Sequence, residues 1–172
     1  MKRIYLALAI LLSLCWQASL AQSVNFPGIP DVPLKPGLSY GGFFKQHQPV
    51  KILFAVGRPG LQLKESLTNA ALVINYLKAK GYKYKIHFVL YGKAVLAADV
   101  FNQKYSNWTP LLEDLHKQGV TFTVCHNSMV FLQVKSADVY PFMKVIPAGI
   151  LSVAEYEMKG YSPIFNSNSD AE

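Results

Sequence analysis

Cysteine is scarce in this sequence of 172 residues, which contains only Cys15 and Cys125. Two cysteines so far apart provide no disulfide framework, and the histidines are not spaced as zinc ligands. The glycine-rich phosphate-binding motifs and the GxSxG motif of hydrolases are also missing from the sequence. These absences exclude a disulfide-stapled domain, a zinc finger and the common nucleotide-binding motifs. We expect no cofactor and no metal ion.

The N-terminal segment has the organisation of a secretory signal peptide. Lys2 and Arg3 precede the apolar stretch IYLALAILLSLCW, and Ser19 and Ala21 provide the small residues of a cleavage site. The apolar stretch is short for a membrane-spanning helix, and no stop-transfer pattern follows it. We therefore predict a signal peptide over residues 1–21, cleaved after Ala21. The chain is then periplasmic or secreted, with no membrane span after cleavage.

Cleavage would leave Cys125 as the one cysteine of the mature chain. An oxidising compartment favours paired cysteines, so an unpaired cysteine indicates a reactive thiol or a bond to another chain. A free cysteine is also commonly a small buried hydrophobic residue. Composition leaves both interpretations of Cys125 open.

The remaining chain divides into three parts by composition. Residues 22–48 are rich in proline and glycine, which break helices and strands, and they predict an extended leader. Residues 166–172 read NSNSDAE and predict a disordered tail. The folded domain is expected over residues 49–165.

Within that domain, short apolar runs alternate with helical patterns. The sequence predicts strands at 50–56, 84–92, 120–125 and 143–149, with an edge strand at 161–165. Helices are predicted at about 63–80, 93–101 and 127–134. A further helix is predicted to begin after Thr109, which would be its N-cap, and a last helix is predicted after residue 149. This alternation predicts a three-layer α/β/α sandwich around a mainly parallel sheet of about five strands.

Cys125 is expected where the third strand ends and a helix begins. Ligands and chemistry collect at the carboxyl ends of parallel strands. The N–H groups at the start of a helix favour the thiolate, which is the nucleophilic form of cysteine. The position therefore favours a reactive thiol.

Other residues near the predicted strand ends have two interpretations each. His126 could assist proton transfer or face solvent, and Asn127 could orient a bound sulfur species or only cap the helix. Arg58, in the segment GRPG, could attract an anion or be an ordinary exposed arginine.

Four lysines at positions 78, 80, 83 and 85 form a basic edge with Tyr82 and Tyr84 between them. A solvated helix-to-strand corner explains this edge adequately, and we expect no nucleic-acid partner.

Two segments resemble the DsrE/DsrF-like family of small sulfur-relay proteins, which have the YchN-like fold. They are GVTFTVCHNSM, from Gly119 to Met129, and VIPAGILSVAEYEMKGY, and the likeness extends over about residues 50 to 165. The resemblance implies an α/β/α sandwich that assembles into trimers or hexamers. It also implies that Cys125 accepts sulfane sulfur as a persulfide and passes it to a partner protein, with Asn127 and Ser128 as binding neighbours.

The sequence departs from the family pattern at two positions near the expected site. His126 stands where small residues, often glycine, are usual, and Lys93 stands where proline is common. The leading hypothesis is an exported sulfur carrier, or sulfurtransferase-like protein, with a protein sulfur donor and acceptor. The alternative is a non-catalytic oligomeric binding subunit in which Cys125 is buried and inert. A third is a redox sensor that pairs Cys125 with a thiol of another chain.

Overall fold

The computed structural model of the chain describes residues 23–166. The predicted signal peptide over residues 1–21, and residues 167–172 of the predicted tail, lie outside the described residues. The strands are β1 (Val50–Val56), β2 (Tyr84–Leu90), β3 (Thr121–Cys125), β4 (Met143–Ile146) and β5 (Ser162–Ile164). The α-helices are α1 (Phe43–Gln46), α2 (Leu61–Ala79), α3 (Thr109–Lys117), α4 (His126–Leu132) and α5 (Gly149–Met158).

All five strands form one parallel sheet in the order β4-β3-β2-β1-β5. One face carries the larger hydrophobic core, to which α2 and α3 contribute, and the other face packs against α5 through Val153. Helices therefore cover both faces, and the predicted three-layer α/β/α class is confirmed.

A row of phenylalanines on the α2 face sets the alignment of the inner strands. Phe54 of β1 is in register with Phe88 of β2, and Phe88 with Phe122 of β3. Their rings stack at centroid distances of 4.8 Å and 5.1 Å, and each ring is at most 2 % exposed. Burying one such ring contributes on the order of 2 kcal/mol. A slip of one residue would move the whole row to the other face, so the register is strongly fixed.

Several local predictions differ from the structure. The strands predicted at 84–92 and 143–149 end at Leu90 and Ile146, and the leader, predicted to be extended, contains the short helix α1. The helix predicted at 93–101 is a 3-10 helix at Gly92–Ala98, and further 3-10 helices span Gln103–Trp108 and Ser136–Asp138. Thr109 is the first residue of α3 and not its N-cap, because the preceding 3-10 helix leads directly into α3. The Thr109 hydroxyl is hydrogen-bonded to the Tyr140 hydroxyl instead.

The start of the leader packs against α2. The Val24 N–H donates to Asn75 Oδ1 at 2.9 Å, and Asn75 Nδ2 donates to the Val24 carbonyl oxygen at 3.0 Å. Two residues later Phe26 is 2 % exposed and belongs to the larger core. This part of the leader is therefore fastened to the domain.

Among residues 23–166, no helix is both long enough and apolar enough to cross a membrane.

His87 is a buried polar residue on the α5 face of the sheet, where it is 1 % exposed. Its Nδ1 lies 2.7 Å from Thr121 Oγ1 and its Nε2 lies 3.0 Å from Thr123 Oγ1, while its ring stacks on Tyr156 at 3.8 Å. Burial lowers the pKa of His87 to about 3; Glu155 opposes this shift and Lys159 adds to it. The folded protein therefore holds this imidazole neutral.

The depressed pKa of His87 predicts a loss of stability in mild acid. An unfolded chain binds a proton at this histidine below about pH 6.5, whereas the folded chain does not until about pH 3. The stabilisation is complete above pH 6.5 and is lost as the pH falls towards 3. Between pH 7 and pH 4.5 the wild type should lose about 2–3 kcal/mol more unfolding free energy than His87→Gln, measured by denaturant unfolding.

His116→Gln supplies the matched control, because His116 is an exposed histidine on α3. It should follow the wild-type pH dependence. Equal losses in the wild type and in His87→Gln would contradict this account of His87.

Candidate functional site at the carboxyl edge of the sheet

Four chain segments leave the carboxyl edge of the sheet side by side. They follow β1 at 57–60, β2 at 91–93, β3 at 126–128 and β4 at 147–149. Hydrogen bonds join neighbouring segments. The Ala94 N–H donates to the Gly57 carbonyl oxygen at 3.1 Å, the Asn127 N–H to the Pro147 carbonyl oxygen at 3.3 Å, and the Gly92 N–H to Ser128 Oγ at 2.9 Å.

Cys125 lies in the middle of this arrangement as the last residue of β3. Its backbone is extended, with φ −72° and ψ 112°, and it is the N-cap of α4. Its sulfur accepts the Ser128 N–H at 3.5 Å. The residue is 5 % exposed, so the thiol has little contact with solvent.

The pKa of the Cys125 thiol lies below its ordinary value. Burial is the largest single effect and raises this pKa, because a thiolate loses hydration inside the protein. Hydrogen bonds to the sulfur act in the opposite direction and together outweigh it. They come from the Ser128 hydroxyl and from the backbone N–H groups of Ser128, Gly149 and Asn127. Neutral donors thus stabilise the thiolate at this site.

Ser128 has the best-defined role among these donors. Its hydroxyl oxygen accepts the Gly92 N–H at 2.9 Å, which leaves the hydroxyl hydrogen available for the Cys125 sulfur. Ser128 therefore links the segment after β2 to the thiol.

Two glycines make room for Tyr91 beside Cys125. A Cβ added at Gly149 would lie 2.7 Å from Tyr91 Cβ and 3.2 Å from Cys125 Cβ, so a side chain there would displace one of them. A Cβ at Gly57 would lie 3.3 Å from Tyr91 Cε2. The absence of side chains at these two glycines lets Tyr91 extend across the strand ends, from beside Cys125 towards the β1 segment.

The backbone conformation at position 92 requires a glycine. It has φ +51°, and a Cβ there would lie 2.9 Å from the Gly57 carbonyl oxygen. The positive φ turns the chain sharply after β2, and this turn brings the Gly92 N–H to Ser128 Oγ.

The structure brings together three of the five candidate residues named from the sequence. Cys125, Asn127 and Ser128 contact one another, although the sulfur of Cys125, and not Asn127, caps α4. His126 is exposed at the first position of α4. Arg58 lies in the β1 segment at the same edge, where its N–H donates to Gln62 Oε1 at 2.9 Å. Within the described part of the chain, neither His126 nor Arg58 is among the groups that shift the pKa of Cys125.

Sequence reasoning did not assign Tyr91 and Gly149 to this site. The PAG motif after the fourth strand marks Gly149, but its contact with Tyr91 joins segments that follow different strands. Over residues 23–166, no group of three or more His, Cys, Asp and Glu side chains is placed to hold a metal ion.

Exposed apolar side chains lie on the two helices that begin at this edge. Val130 and Phe131 on α4 are 61 % and 86 % exposed, and Ile150 and Leu151 on α5 are each 68 % exposed. On α4 they follow the exposed His126 and Asn127 at helical spacing, so they share a side of that helix. A surface of this kind is typical of a protein contact.

The fold and the site define a class of protein: a three-layer α/β/α domain with a hydrogen-bonded cysteine at the carboxyl end of an inner parallel strand. A comparison with protein-family models matches residues 51–165 to the DsrE/DsrF-like family. The chain belongs to this family, which is of the sulfur-relay type, and the resemblance seen in the sequence is confirmed.

Comparisons with individual proteins add evidence on the fold. The proteins with curated functions include no significant match. Among solved structures, the chain is similar to MTH1491 from Methanobacterium thermoautotrophicum, a protein of unknown function. That likeness has a TM-score of 0.58 and 17 % identity, and it covers 66 % of this chain and 96 % of the other. At this identity the likeness supports the fold alone.

Removal of the Ser128 hydroxyl should make Cys125 less reactive. In Ser128→Ala the sulfur loses one donor while its burial remains, so the pKa of Cys125 rises. At pH 7 the alkylation rate should fall roughly three- to fivefold, and the midpoint of the rate against pH should move upward. Mass spectrometry of the peptide that contains Cys125 gives both quantities.

Ser136→Ala provides the matched control, because Ser136 is an exposed serine outside the site. An unchanged midpoint in Ser128→Ala would show that the hydroxyl does not stabilise the thiolate.

Proposed function

We propose that the protein is an exported sulfur carrier, which accepts sulfane sulfur as a persulfide on Cys125 and passes it to a partner protein. The observation that carries this proposal is the set of donors around the Cys125 sulfur, which lower the pKa of the thiol despite its burial. Membership of a sulfur-relay-type family supports the same chemistry. Export is supported by the N-terminal sequence.

The transfer needs no additional reactant. The Cys125 thiolate attacks the outer sulfur of a persulfide on the donor protein. A new S–S bond forms on Cys125, the S–S bond of the donor breaks, and the inner sulfur of the donor leaves as a thiolate, which takes up a proton. The reverse reaction delivers the sulfur to an acceptor thiol. The hydrogen bonds from Ser128, Asn127 and Gly149 would stabilise the anionic forms of Cys125 and of its persulfide.

The burial of Cys125 favours a protein donor. At 5 % exposure the sulfur is sheltered from bulk oxidants, which would otherwise oxidise a persulfide in an exported protein. A donor protein therefore has to present its sulfur on an extended segment that reaches between the strand ends, and a small polysulfide can take the place of that segment.

The same burial supports the alternative function, a non-catalytic binding subunit in which Cys125 is inert. The two proposals differ in the behaviour of the folded thiol towards sulfur donors, and one experiment distinguishes them.

Sulfur uptake is expected on the wild type alone. The protein is recovered after export, and its mass shows whether residues 1–21 have been removed. It is then reduced and exposed to a polysulfide. The intact mass should increase by one sulfur atom, a change that reductant reverses, because Cys125 is the acceptor. Cys125→Ser should gain no sulfur and should unfold at a similar denaturant concentration, since serine keeps the size and the N-cap position.

Two results would contradict the carrier proposal. One is sulfur uptake by Cys125→Ser. The other is a wild-type protein that gains no sulfur and whose Cys125 is alkylated only after unfolding, which would establish the binding-subunit alternative.

We also propose a homo-oligomer, and the family resemblance implies a trimer or a hexamer. The exposed apolar side chains on α4 and α5 support an interface between copies of the chain. Phe131→Glu and Leu151→Glu place a charge on these surfaces and should shift the protein towards monomer, because a buried unpaired charge opposes association. Sedimentation velocity over a range of protein concentrations measures the shift.

Phe101→Glu is the matched control, since Phe101 is 71 % exposed and lies outside α4 and α5. It should assemble like the wild type. A wild-type protein that stays monomeric at high concentration would overturn the assembly proposal.

A further inference from the structure

The basic edge noted in the sequence has no role at the cysteine site. Lys78 donates to Gln118 Oε1 at 2.9 Å, whereas Lys80, Lys83 and Lys85 are exposed. In the part of the chain that the structure describes, none of these three lysines forms an ion pair. They lie where α2 ends and β2 begins, at the amino edge of the sheet and thus at the opposite edge from Cys125.

The leader lies beside these lysines. The Lys83 N–H donates to Gln48 Oε1 at 2.8 Å, and the Val50 N–H donates to the Lys83 carbonyl oxygen at 2.8 Å. Earlier in the leader, the Tyr40 ring packs edge-on against the Tyr76 ring of α2, at a centroid distance of 5.6 Å. These contacts place residues 40–50 next to the corner between α2 and β2.

The leader presents apolar side chains to solvent at this place. Leu38 is 68 % exposed, Tyr40 66 % and Phe43 57 %. The backbone around Phe43 is ordered by α1, and the His47 ring stacks on the Phe43 ring at 4.3 Å. Apolar side chains held in an exposed position indicate that another surface covers them.

Charge indicates the nature of that surface. The two neighbouring stretches, residues 35–52 and residues 76–85, contain several lysines and no aspartate or glutamate. On adjacent strands Lys51 and Lys85 are in register. Lys51 Nζ donates to the Lys159 carbonyl oxygen at 2.8 Å, which leaves Lys85 as the exposed charge of the pair. The partner is therefore anionic.

We propose that this amino-edge patch, made of Leu38, Tyr40, Phe43, Lys80, Lys83 and Lys85, binds the surface of an anionic lipid bilayer. The lysines contact the phosphate groups of the lipids, and the apolar side chains enter the interfacial layer, as in peripheral membrane proteins. A nucleic acid fits less well. Arg58 is the one arginine among the described residues and lies at the opposite edge, so the patch lacks the planar side chain that most often reads bases.

Binding in this orientation leaves the cysteine site facing away from the bilayer. The strands run from the amino-edge patch to Cys125, so the carboxyl edge remains open to a partner protein. The proposal does not depend on sulfur transfer, because it rests on residues at the other edge of the sheet.

Vesicle flotation of the protein recovered after export tests the proposal. The protein should bind vesicles of phosphatidylglycerol and phosphatidylcholine at low salt, and should not bind phosphatidylcholine alone. The triple variant Lys80→Gln/Lys83→Gln/Lys85→Gln should bind roughly a hundredfold more weakly, at about fivefold for each lysine. Leu38→Ser/Phe43→Ser should bind roughly tenfold more weakly, because less apolar area enters the interface.

A second triple variant, Lys104→Gln/Lys135→Gln/Lys144→Gln, removes the same charge from exposed lysines outside the patch and should bind like the wild type. Thermal unfolding shows that each variant is folded. The proposal is overturned by equal binding to both vesicle types, by an equal loss in the two triple variants, or by full binding of Leu38→Ser/Phe43→Ser. Displacement from vesicles by an equal charge of single-stranded DNA also overturns it, in favour of a nucleic-acid partner.

Discussion

The row formed by Phe54, Phe88 and Phe122 fixes the register of the three inner strands, and the position of the cysteine follows from that register. With these rings aligned, Val56 and Leu90 end level with each other, and Val124 is paired with Leu90. Cys125, the residue after Val124, is paired with Ile146 of β4, which lies three residues before Gly149. A parallel sheet brings all these ends to one edge. The core thus determines which backbone groups surround the sulfur.

At the sulfur atom, burial and hydrogen bonding oppose each other. Burial alone would produce an inert thiol with a raised pKa, which is the behaviour of a core cysteine. Ser128, Asn127 and Gly149 supply donors from two helix starts, and their combined effect exceeds that of burial. Such a thiol is sheltered and still able to ionise, which suits a group that holds a reactive sulfur between two encounters. The amino-edge patch lies at the far end of the same strands, so the two proposed functions, membrane binding and sulfur transfer, occupy separate edges.

The sequence was sufficient for the presence of the five strands and for α2, because a strand buried on both faces appears as a short continuous apolar run and α2 has an apolar stripe at helical spacing. It extended β2 and β4 beyond their observed ends at Leu90 and Ile146. It also placed Cys125 at a strand end. The sequence did not predict the contacts between segments that are distant along the chain. Ala94 donates to Gly57, which helps to make the segment after β2 a 3-10 helix, and Tyr91 meets Gly149 across the strand ends. The hydrogen bonds between Val24 and Asn75 likewise join residues far apart in the chain, and no local sequence pattern predicts them.

The central claim is that the donors around Cys125 outweigh its burial. Titration of the thiolate by its ultraviolet absorbance, as the difference between the wild type and Cys125→Ser, measures this balance directly. The account predicts that the thiolate of the folded protein forms at lower pH than that of the same chain unfolded in denaturant. A titration at the same pH in both states, or at higher pH in the folded protein, would contradict it and leave Cys125 as a core residue.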